Sequence, residues 1–218
     1  AGHQFHDDGV TFDGVDGGYF IAKELFKTFK TPNKGKILAL QGKLANAAHI
    51  ERWTGLDKAL KEFPDVKMVA FDCAQWERAK AFEIMSSMLV AHPDVDGVWA
   101  ANDNMAMGAL EALRAKGLAG KVKVVGVDGI EEMIRAIDKG EAAATFYPDP
   151  FWQGGMGLSI ALAAKEGKID MKTLPQEKRQ WYATSILVNS ENVKAFIKTN
   201  IEGTPAYDWN DLFGRWLK

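Results

Sequence analysis

The sequence has a single cysteine, almost no net charge, and no apolar run long enough to span a membrane. Cys73 alone excludes an internal disulfide framework and a multi-thiolate metal site. A net charge of −2, from 27 basic and 29 acidic residues, leaves no basic excess of the kind that nucleic-acid binding requires. With 47% hydrophobic and 26% charged residues, the composition is that of an ordinary globular protein. We therefore expect a folded protein that does not bind nucleic acid.

The signatures of cofactor and metal chemistry are also missing. No strand-to-helix turn carries G-x-G-x-x-G or G-x-x-x-x-G-K-[ST], so neither dinucleotide binding nor P-loop phosphate binding is predicted. The four histidines, His3, His6, His49 and His92, show no paired spacing typical of metal ligands. The sequence therefore predicts no cofactor and no metal, and an enzyme is the least supported class of function.

Apolar segments and amphipathic helices alternate with a period of roughly 30 residues, which is typical of βαβ units in a mostly parallel sheet. Five short apolar segments predict strands that are buried on both faces, at 36–41, 66–71, 97–101, 123–127 and 142–146. Apolar residues at helical spacing lie between them and predict the covering helices. The predicted fold class is α/β, a doubly wound, mostly parallel sheet with helices on both faces.

The regular pattern is interrupted directly after the fifth predicted strand. The sequence YPDP at 147–150 places two prolines in four residues, which disfavours both a helix and an interior strand. This segment is a candidate crossing or hinge between two parts of the chain. A helix at 152–165 and a strand at 181–188 are predicted beyond it.

Polar and aromatic residues follow the carboxyl ends of the predicted strands, where open α/β sheets bind their ligands. In chain order they are Asn46, His49, Arg52, Asp72, Cys73, Gln75, Trp76, Asn102, Asp103, Asp128, Tyr147 and Asp149. A guanidinium, several carboxylates and an amide together offer the donors and acceptors that neighbouring hydroxyl groups require. The set predicts a site for a sugar or a polyol.

Five residues are predicted to bind this ligand. Arg52 can donate to two oxygens, Asp128 can accept two hydroxyl protons, and the amide of Asn102 can do one of each. Trp76 offers a flat surface for the apolar C–H face of a sugar. Tyr147 adds an aromatic side chain after the fifth strand.

Each of these residues also has a purely structural explanation. Asn102 precedes a predicted helix and is a candidate N-cap, whereas Asp128 precedes a glycine and is a candidate turn residue. Arg52 is a candidate for a surface ion pair, and Trp76 for covering the core. Their convergence from separate loops onto one edge of the sheet favours the functional interpretation.

Two segments, HPDVDGVWAANDNMAMGALEALRAKG at 92–117 and VVGVDGIEEMIRAIDKGEAAAT at 124–145, carry a family resemblance. They resemble the periplasmic sugar-binding proteins of the ribose-binding type, which serve ABC importers, and the likeness extends from about residue 13 to 188. The resemblance implies the periplasmic-binding-protein-like I fold, a periplasmic location and a monomer. It also implies a non-catalytic role in which two lobes close on a sugar and present it to a membrane permease.

The resemblance extends to the candidate site residues. In this family an arginine after the first strand, the asparagine of a QND or AND triplet and the aspartate of GFDG bind the sugar, and they correspond to Arg52, Asn102 and Asp128. The family's aromatic residue before an acid and an arginine corresponds to Trp76. A glutamine stands after the fifth strand in the family, where this sequence has Pro148 between Tyr147 and Asp149.

The resemblance further implies a division into two lobes. Residues 1–12 and 149–180 are assigned to the remainder of the first lobe, and residues 13–148 and 181–218 to an essentially complete second lobe. Most of a first lobe, roughly 100 residues, would precede residue 13, so we expect a truncated chain or a divergent half-protein.

The effector domain of a LacI-type transcriptional repressor is the alternative function. An upstream helix-turn-helix would favour it, whereas an upstream signal peptide would favour transport.

Overall fold

In a computed structural model of the protein, strands and helices alternate along the chain and form two compact units. The structure describes residues 9–175 and 179–212. His3 and His6 lie outside the described residues, as do the ends of the two assigned lobes at 1–8 and 213–218. The larger unit comprises residues 14–147 and 187–203. The smaller unit comprises the described parts of 1–13, 148–186 and 204–218. No described helix is long and apolar enough to cross a membrane.

The larger unit is built on a six-stranded sheet. Its strands are β2 (Gly35–Gln41), β3 (Val66–Cys73), β4 (Gly97–Ala100), β5 (Lys123–Val127), β6 (Ala142–Tyr147) and β8 (Ile186–Asn189). They lie in the order β3-β2-β4-β5-β6-β8, and the four pairings from β3 to β6 are parallel. The central strands β4 and β6 are buried along their whole length. All five apolar segments are therefore confirmed as strands, and the predicted α/β fold class is confirmed. The prediction of burial on both faces is wrong for β3, because this strand lies at the edge of the sheet and most of its residues are exposed or half-buried.

Among the described residues, six helices accompany the strands of the larger unit. They are α1 (Gly14–Lys27), α2 (Ala47–Glu62), α3 (Arg78–Ala91), α4 (Asp103–Ala115), α5 (Glu131–Asp138) and the short α7 (Val193–Phe196), which continues into a π-helical turn (Ile197–Ile201). Helix α1 packs along α2, and α3 packs along α4.

The order of the strands determines where a ligand can bind. The first strand of the sheet, β2, lies between β3 and β4, so the chain proceeds to one side of β2 and then to the other. In doubly wound sheets the connections from two such strands diverge, and a crevice opens beyond their carboxyl ends. This place is called the switch point of the sheet, and here it lies beyond the carboxyl ends of β2 and β4.

Helices α1 and α2 approach each other closely at Gly55. A Cβ at Gly55 would lie 2.1 Å from the carbonyl oxygen of Val15 and 2.6 Å from the amide nitrogen of Tyr19. Both of these atoms belong to the backbone of α1, so only a residue without a side chain fits between the helices. This contact fixes the position of α2, which carries Arg52.

The smaller unit has its own apolar cluster. Helix α6 (Pro150–Lys165) packs near a two-stranded parallel sheet of β1 (Gly9–Thr11) and β7 (Gln180–Tyr182). The cluster consists of Trp152, Met156, Ile160, Trp181 and Ala183. The indole N–H of Trp181 donates to the carbonyl oxygen of Leu212 at 2.6 Å, and the hydroxyl of Tyr207 donates to Asp149 Oδ1 at 2.7 Å.

The C-terminal part of the chain differs from its sequence-based assignment. The single strand predicted at 181–188 is two strands, β7 in the smaller unit and β8 in the sheet of the larger unit. Residues 181–186 and 204–212, assigned to the second lobe, belong to the smaller unit, so the boundary between the units falls after Ile186, the first residue of β8. The physical reason is that Trp181, Tyr207 and Leu212 pack with the apolar cluster around α6.

Candidate functional site

Arg52 lies at the switch point of the sheet, in the second turn of α2. Asn46 caps this helix by accepting a hydrogen bond from the amide of Ala48 at 3.0 Å. The Arg52 side chain is 8% exposed, and its Nη1 donates to the carbonyl oxygen of Ala101 at 2.7 Å. Its Nη2 donates to Asp128 Oδ1 at 3.3 Å. Arg52 therefore connects the residue after β4 with the residue after β5, and its guanidinium is held in place.

Asp128 occupies a strained turn directly after β5. Its φ of 128° is a backbone conformation that a non-glycine residue rarely adopts, and its amide donates to the carbonyl oxygen of Phe146 at 3.0 Å. Strain of this kind clusters at functional sites. Its side chain is 37% exposed although one oxygen accepts from Arg52, so part of the carboxylate remains accessible to a ligand. Burial raises the pKa of Asp128, and interactions with Arg52 and Asn102 act in the opposite direction.

Trp76 lies beside the Arg52 guanidinium. The ring centroid of Trp76 is 5.6 Å from Arg52 Cζ, within the range of a cation–π interaction. Gln75 and Trp76 both have positive φ, 57° and 71°, a left-handed conformation that is uncommon for residues other than glycine. The indole also contacts Gly42 and the ring of His49. The half-buried indole thus forms a flat wall next to the buried cation.

Asn102 is the N-cap of α4, so its structural alternative is confirmed. Its Oδ1 accepts a hydrogen bond from the amide of Met105 at 3.0 Å. The same side chain lies close enough to Asp128 to lower the pKa of that carboxyl by a hydrogen bond. Capping and contact with the candidate site therefore coexist in one buried amide.

Tyr147 has a different environment from the other four predicted residues. It is the last residue of β6, it is buried, and its ring packs edge-on against Phe196 with centroids 5.0 Å apart. The ring also contacts Gly129, which follows Asp128. The structure thus brings Arg52, Trp76, Asn102 and Asp128 together and places Tyr147 beside the next residue of the Asp128 turn. A direct role for Tyr147 in binding stays a prediction.

Asp103 is among the polar residues predicted to lie at the strand ends, but it is not one of the five residues predicted to bind the ligand. Its side chain is fully buried and accepts hydrogen bonds from the amides of Gly129 at 2.7 Å and Ile130 at 3.0 Å. The hydroxyl of Thr145 donates to it at 2.8 Å. Only the position after Asn102 could have pointed to Asp103, because its partners are 26 to 42 residues away in the sequence.

Burial is the main cause of the unusual titration of Asp103. Desolvation and the charge of Asp128 raise the pKa of Asp103 to about 7, against the hydrogen bonds from Thr145, Ile130 and Gly129, which lower it. Burial likewise lowers the pKa of His49, which lies on α2 between Trp53 and Trp76. Within residues 9–175 and 179–212, no group of three or more histidine, cysteine, aspartate or glutamate side chains is placed to hold a metal.

We expect the larger unit to lose stability as the pH rises through the titration of Asp103. An unfolded aspartate loses its proton near pH 4, whereas folded Asp103 keeps it up to about pH 7. The folded state therefore binds more protons in this window, and the free energy of unfolding falls as the pH rises. The free energy of unfolding, measured with urea, should fall between pH 5 and pH 8 in the wild type. This fall should exceed the fall in Asp103→Asn by at least about 1 kcal/mol.

The matched control for this titration is Asp138→Asn, which changes an exposed aspartate at the end of α5. This variant should retain the pH dependence of the wild type. An Asp103→Asn variant with the same pH dependence as the wild type would show that Asp103 titrates normally.

Comparison with known proteins adds independent information. A family model described as a periplasmic binding protein domain matches residues 4–169. A xylitol-binding protein of Mycolicibacterium smegmatis is 39% identical over 143 residues, which cover 65% of this chain and 40% of that protein. The chain spans about half the length of the curated relatives that it matches.

Two solved structures are similar over most of the chain. A twin-arginine translocation pathway signal protein from Burkholderia phytofirmans has a TM-score of 0.88 and 43% identity, covering 98% of this chain and 65% of that chain. An ABC transporter periplasmic solute binding protein from Actinobacillus succinogenes with bound D-allose has a TM-score of 0.77 and 34% identity, covering 86% and 63%.

Proposed function

Because this chain belongs to the periplasmic binding protein domain family, we propose that it acts in the solute-binding component of an ABC sugar importer. Its ligand is a neutral monosaccharide or polyol, its location is the periplasm, and its partner is the membrane permease that receives the ligand. The observation that carries the proposal is the Arg52–Asp128 pair beside the switch point, where Arg52 also bonds to the residue after β4 and Trp76 lies next to its guanidinium.

The chemistry of the pair fits a polyhydroxylated ligand. A hydroxyl group that leaves water unpaired costs about 1–3 kcal/mol, so each one needs a donor or an acceptor in the site. The accessible part of the Asp128 carboxylate accepts hydroxyl protons, and the guanidinium supplies donors. Arg52 is already fixed by Ala101 and Asp128, so binding orders few side chains and loses little conformational entropy.

The net charge of the site favours a neutral ligand. Arg52 offsets Asp128, and the second carboxylate, Asp103, is fully buried and turned towards backbone amides. An anionic ligand would meet the partly exposed carboxylate of Asp128, and like charges in a desolvated site repel each other strongly. A sugar phosphate is therefore a poor fit.

The named relatives support transport over the alternative of a repressor effector domain. One relative is a xylitol-binding protein, and one similar structure is an ABC transporter solute binding protein with bound D-allose. Both names describe binding proteins and not enzymes, which also supports a role without catalysis. Xylitol and D-allose are neutral and carry several neighbouring hydroxyl groups, in agreement with the donors and acceptors of the site.

A thermal-shift screen tests this proposal. The product of the complete coding sequence, here called the full-length protein, would be melted with xylitol, D-allose, D-ribose and myo-inositol, and with D-ribose 5-phosphate as the charged control. A ligand present at 100 times its dissociation constant stabilises the folded state by about 2.7 kcal/mol. We expect at least one neutral compound to raise the melting temperature and the phosphate to leave it unchanged. Stabilisation by the phosphate alone, or by none of the compounds, would contradict the proposal.

Ligand binding should also change the fluorescence of Trp76. If the indole stacks on the C–H face of the ligand, its environment becomes drier, and Trp76→Ala should remove most of the ligand-induced change. The chain has 7 tryptophans, so the signal is read as a difference between variants. Trp209→Phe is the control, because Trp209 lies in the smaller unit, where it packs against Gly155. A full fluorescence change in Trp76→Ala would assign Trp76 a structural role.

A further inference from the structure

One buried carboxylate joins three separate parts of the larger unit beneath the candidate site. Asp103 belongs to the first turn of α4, Gly129 and Ile130 follow β5, and Thr145 lies on β6. These three donors lie outside α4, so their hydrogen bonds to Asp103 hold the start of α4 against the Asp128 turn. Gly126 leaves the necessary space, because a Cβ there would lie 2.3 Å from Asp103 Oδ1.

The turn held in this way presents the acceptor of the candidate site. Asp128 lies between two fixed points, since its own amide donates to Phe146 and the next two amides donate to Asp103. A φ of 128° persists only when the surroundings over-determine it, and these bonds supply that constraint. Asn102, which caps α4 directly before Asp103, is held by the same arrangement.

We propose that Asp103 is a positioning residue that fixes the Asp128 turn and thereby sets the affinity of the site for its sugar, without contacting the sugar. The part of this inference that concerns affinity rests on the proposed function. The part that concerns the turn rests on the hydrogen bonds alone. The burial of Asp103 leaves none of its surface for a ligand, so its effect on binding must pass through Asp128 and Asn102.

Two charged groups influence Asp103 and must be separated from it in any test. The charge of Asp128 raises the pKa of Asp103. Burial lowers the pKa of Arg52, and the nearby charges of Asp128 and Asp103 act in the opposite direction. An Asp128→Asn variant removes the first of these charges and leaves the bonds between Asp103 and the turn intact. It therefore shows whether an observed titration belongs to Asp103 or to Asp128.

The first arm of the experiment needs no ligand. In proton–nitrogen correlation spectra of the full-length protein, the amide signals of Gly129 and Ile130 should move together as Asp103 titrates. They should do so in the wild type and in Asp128→Asn, and should show no such titration in Asp103→Asn. Amides that titrate identically in Asp103→Asn, or not at all in the wild type and Asp128→Asn, would overturn the assignment of Asp103 as the anchor of the turn.

The second arm measures the affinity for the sugar that gives the largest thermal shift. Asp103→Ala removes the anchor and should weaken binding at least tenfold. Asp103→Asn should stay within about threefold of the wild type, because its amide oxygen accepts from Gly129 and Ile130 while its amide nitrogen donates to the Thr145 hydroxyl. This rescue by a neutral isostere separates positioning from an effect of the charge. An unchanged affinity in Asp103→Ala, or an equal loss in both variants, would overturn the proposal.

Thr145 provides a variant pair that does not depend on the folding of Asp103→Ala. Thr145→Val removes the hydroxyl donor at nearly constant volume and should weaken binding severalfold, whereas Thr145→Ser keeps the donor and should bind as the wild type does. Equal affinities in Thr145→Val and the wild type would overturn the proposal. If the wild type binds none of the sugars, the proposed function fails together with the effect on affinity, and the amide titration still decides whether Asp103 holds the turn.

Discussion

Replacing Arg52 with alanine is expected to weaken binding of the sugar at least about thirtyfold, a loss of about 2 kcal/mol or more. The guanidinium is the buried donor of the candidate site, and its removal leaves the Ala101 carbonyl and the Asp128 carboxylate without their partner. A polar group that is buried without a partner carries a desolvation penalty, and this penalty lowers the affinity for the ligand. Asp128→Ala should cause a similar loss, because it removes the acceptor of the same pair. Titration calorimetry of the full-length protein with the sugar found in the screen measures both effects.

Two further variants give this measurement its controls. Arg135→Ala removes a half-buried arginine on α5 that pairs with Glu131 at 3.2 Å, and it should bind as the wild type does. Arg52→Lys keeps the charge but loses the planar fork that reaches two acceptors, so its affinity should lie between those of the wild type and Arg52→Ala. If Arg52→Ala and Asp128→Ala remain folded and bind with unchanged affinity, the site lies elsewhere.

Replacing Gly55 with alanine is expected to destabilise the larger unit by about 2–3 kcal/mol. The added methyl group would overlap the Val15 carbonyl oxygen and the Tyr19 amide, and backbone atoms of a packed helix cannot move aside as a flexible side chain can. Helices α1 and α2 must separate, although alanine by itself favours a helix over glycine by up to about 1 kcal/mol. Chemical unfolding followed by circular dichroism measures the difference.

The matched control for this effect is Gly154→Ala on α6. Apart from its chain neighbours and the nearby backbone of α6, no atom of the described residues lies within 4 Å of a Cβ built at Gly154, so the substitution adds helix propensity without an overlap. It should leave the free energy of unfolding unchanged or raise it slightly. A Gly55→Ala variant as stable as the wild type would show that the two helices are not held as closely as described.

The sequence predicts the sheet of the larger unit well for a simple physical reason. Short apolar segments such as 97–101 and 123–127 have no other stable place than the middle of a parallel sheet, and helices of the right period lie between them. The same logic places Asp128 at a strand end and Arg52 near the start of the helix after a strand, although only the structure shows that their side chains are 3.3 Å apart. The sequence pattern therefore predicts which edge of the sheet holds the site and which chemical groups lie there, but not the ion pair between Arg52 and Asp128.

The sequence-based predictions fail where a segment packs against residues that are distant in the sequence. One apolar segment at 181–188 reads as one strand, yet Trp181 packs in the smaller unit and Val188 lies buried in the larger one. Asp103 looks like an ordinary residue at the start of a helix, since its hydrogen-bonded partners on β6 and after β5 are distant in the sequence. Long-range contacts of this kind leave no periodic trace in the chain.

The site at Arg52 and Asp128 is tested most directly by a crystal structure of the full-length protein with the sugar or polyol that stabilises it most. We expect ligand hydroxyl groups to lie within hydrogen-bond distance, about 2.7–3.2 Å, of the Arg52 guanidinium and the Asp128 carboxylate, with a C–H face of the ligand against the Trp76 indole. A ligand that occupies another part of the protein and contacts neither Arg52 nor Asp128 would contradict it.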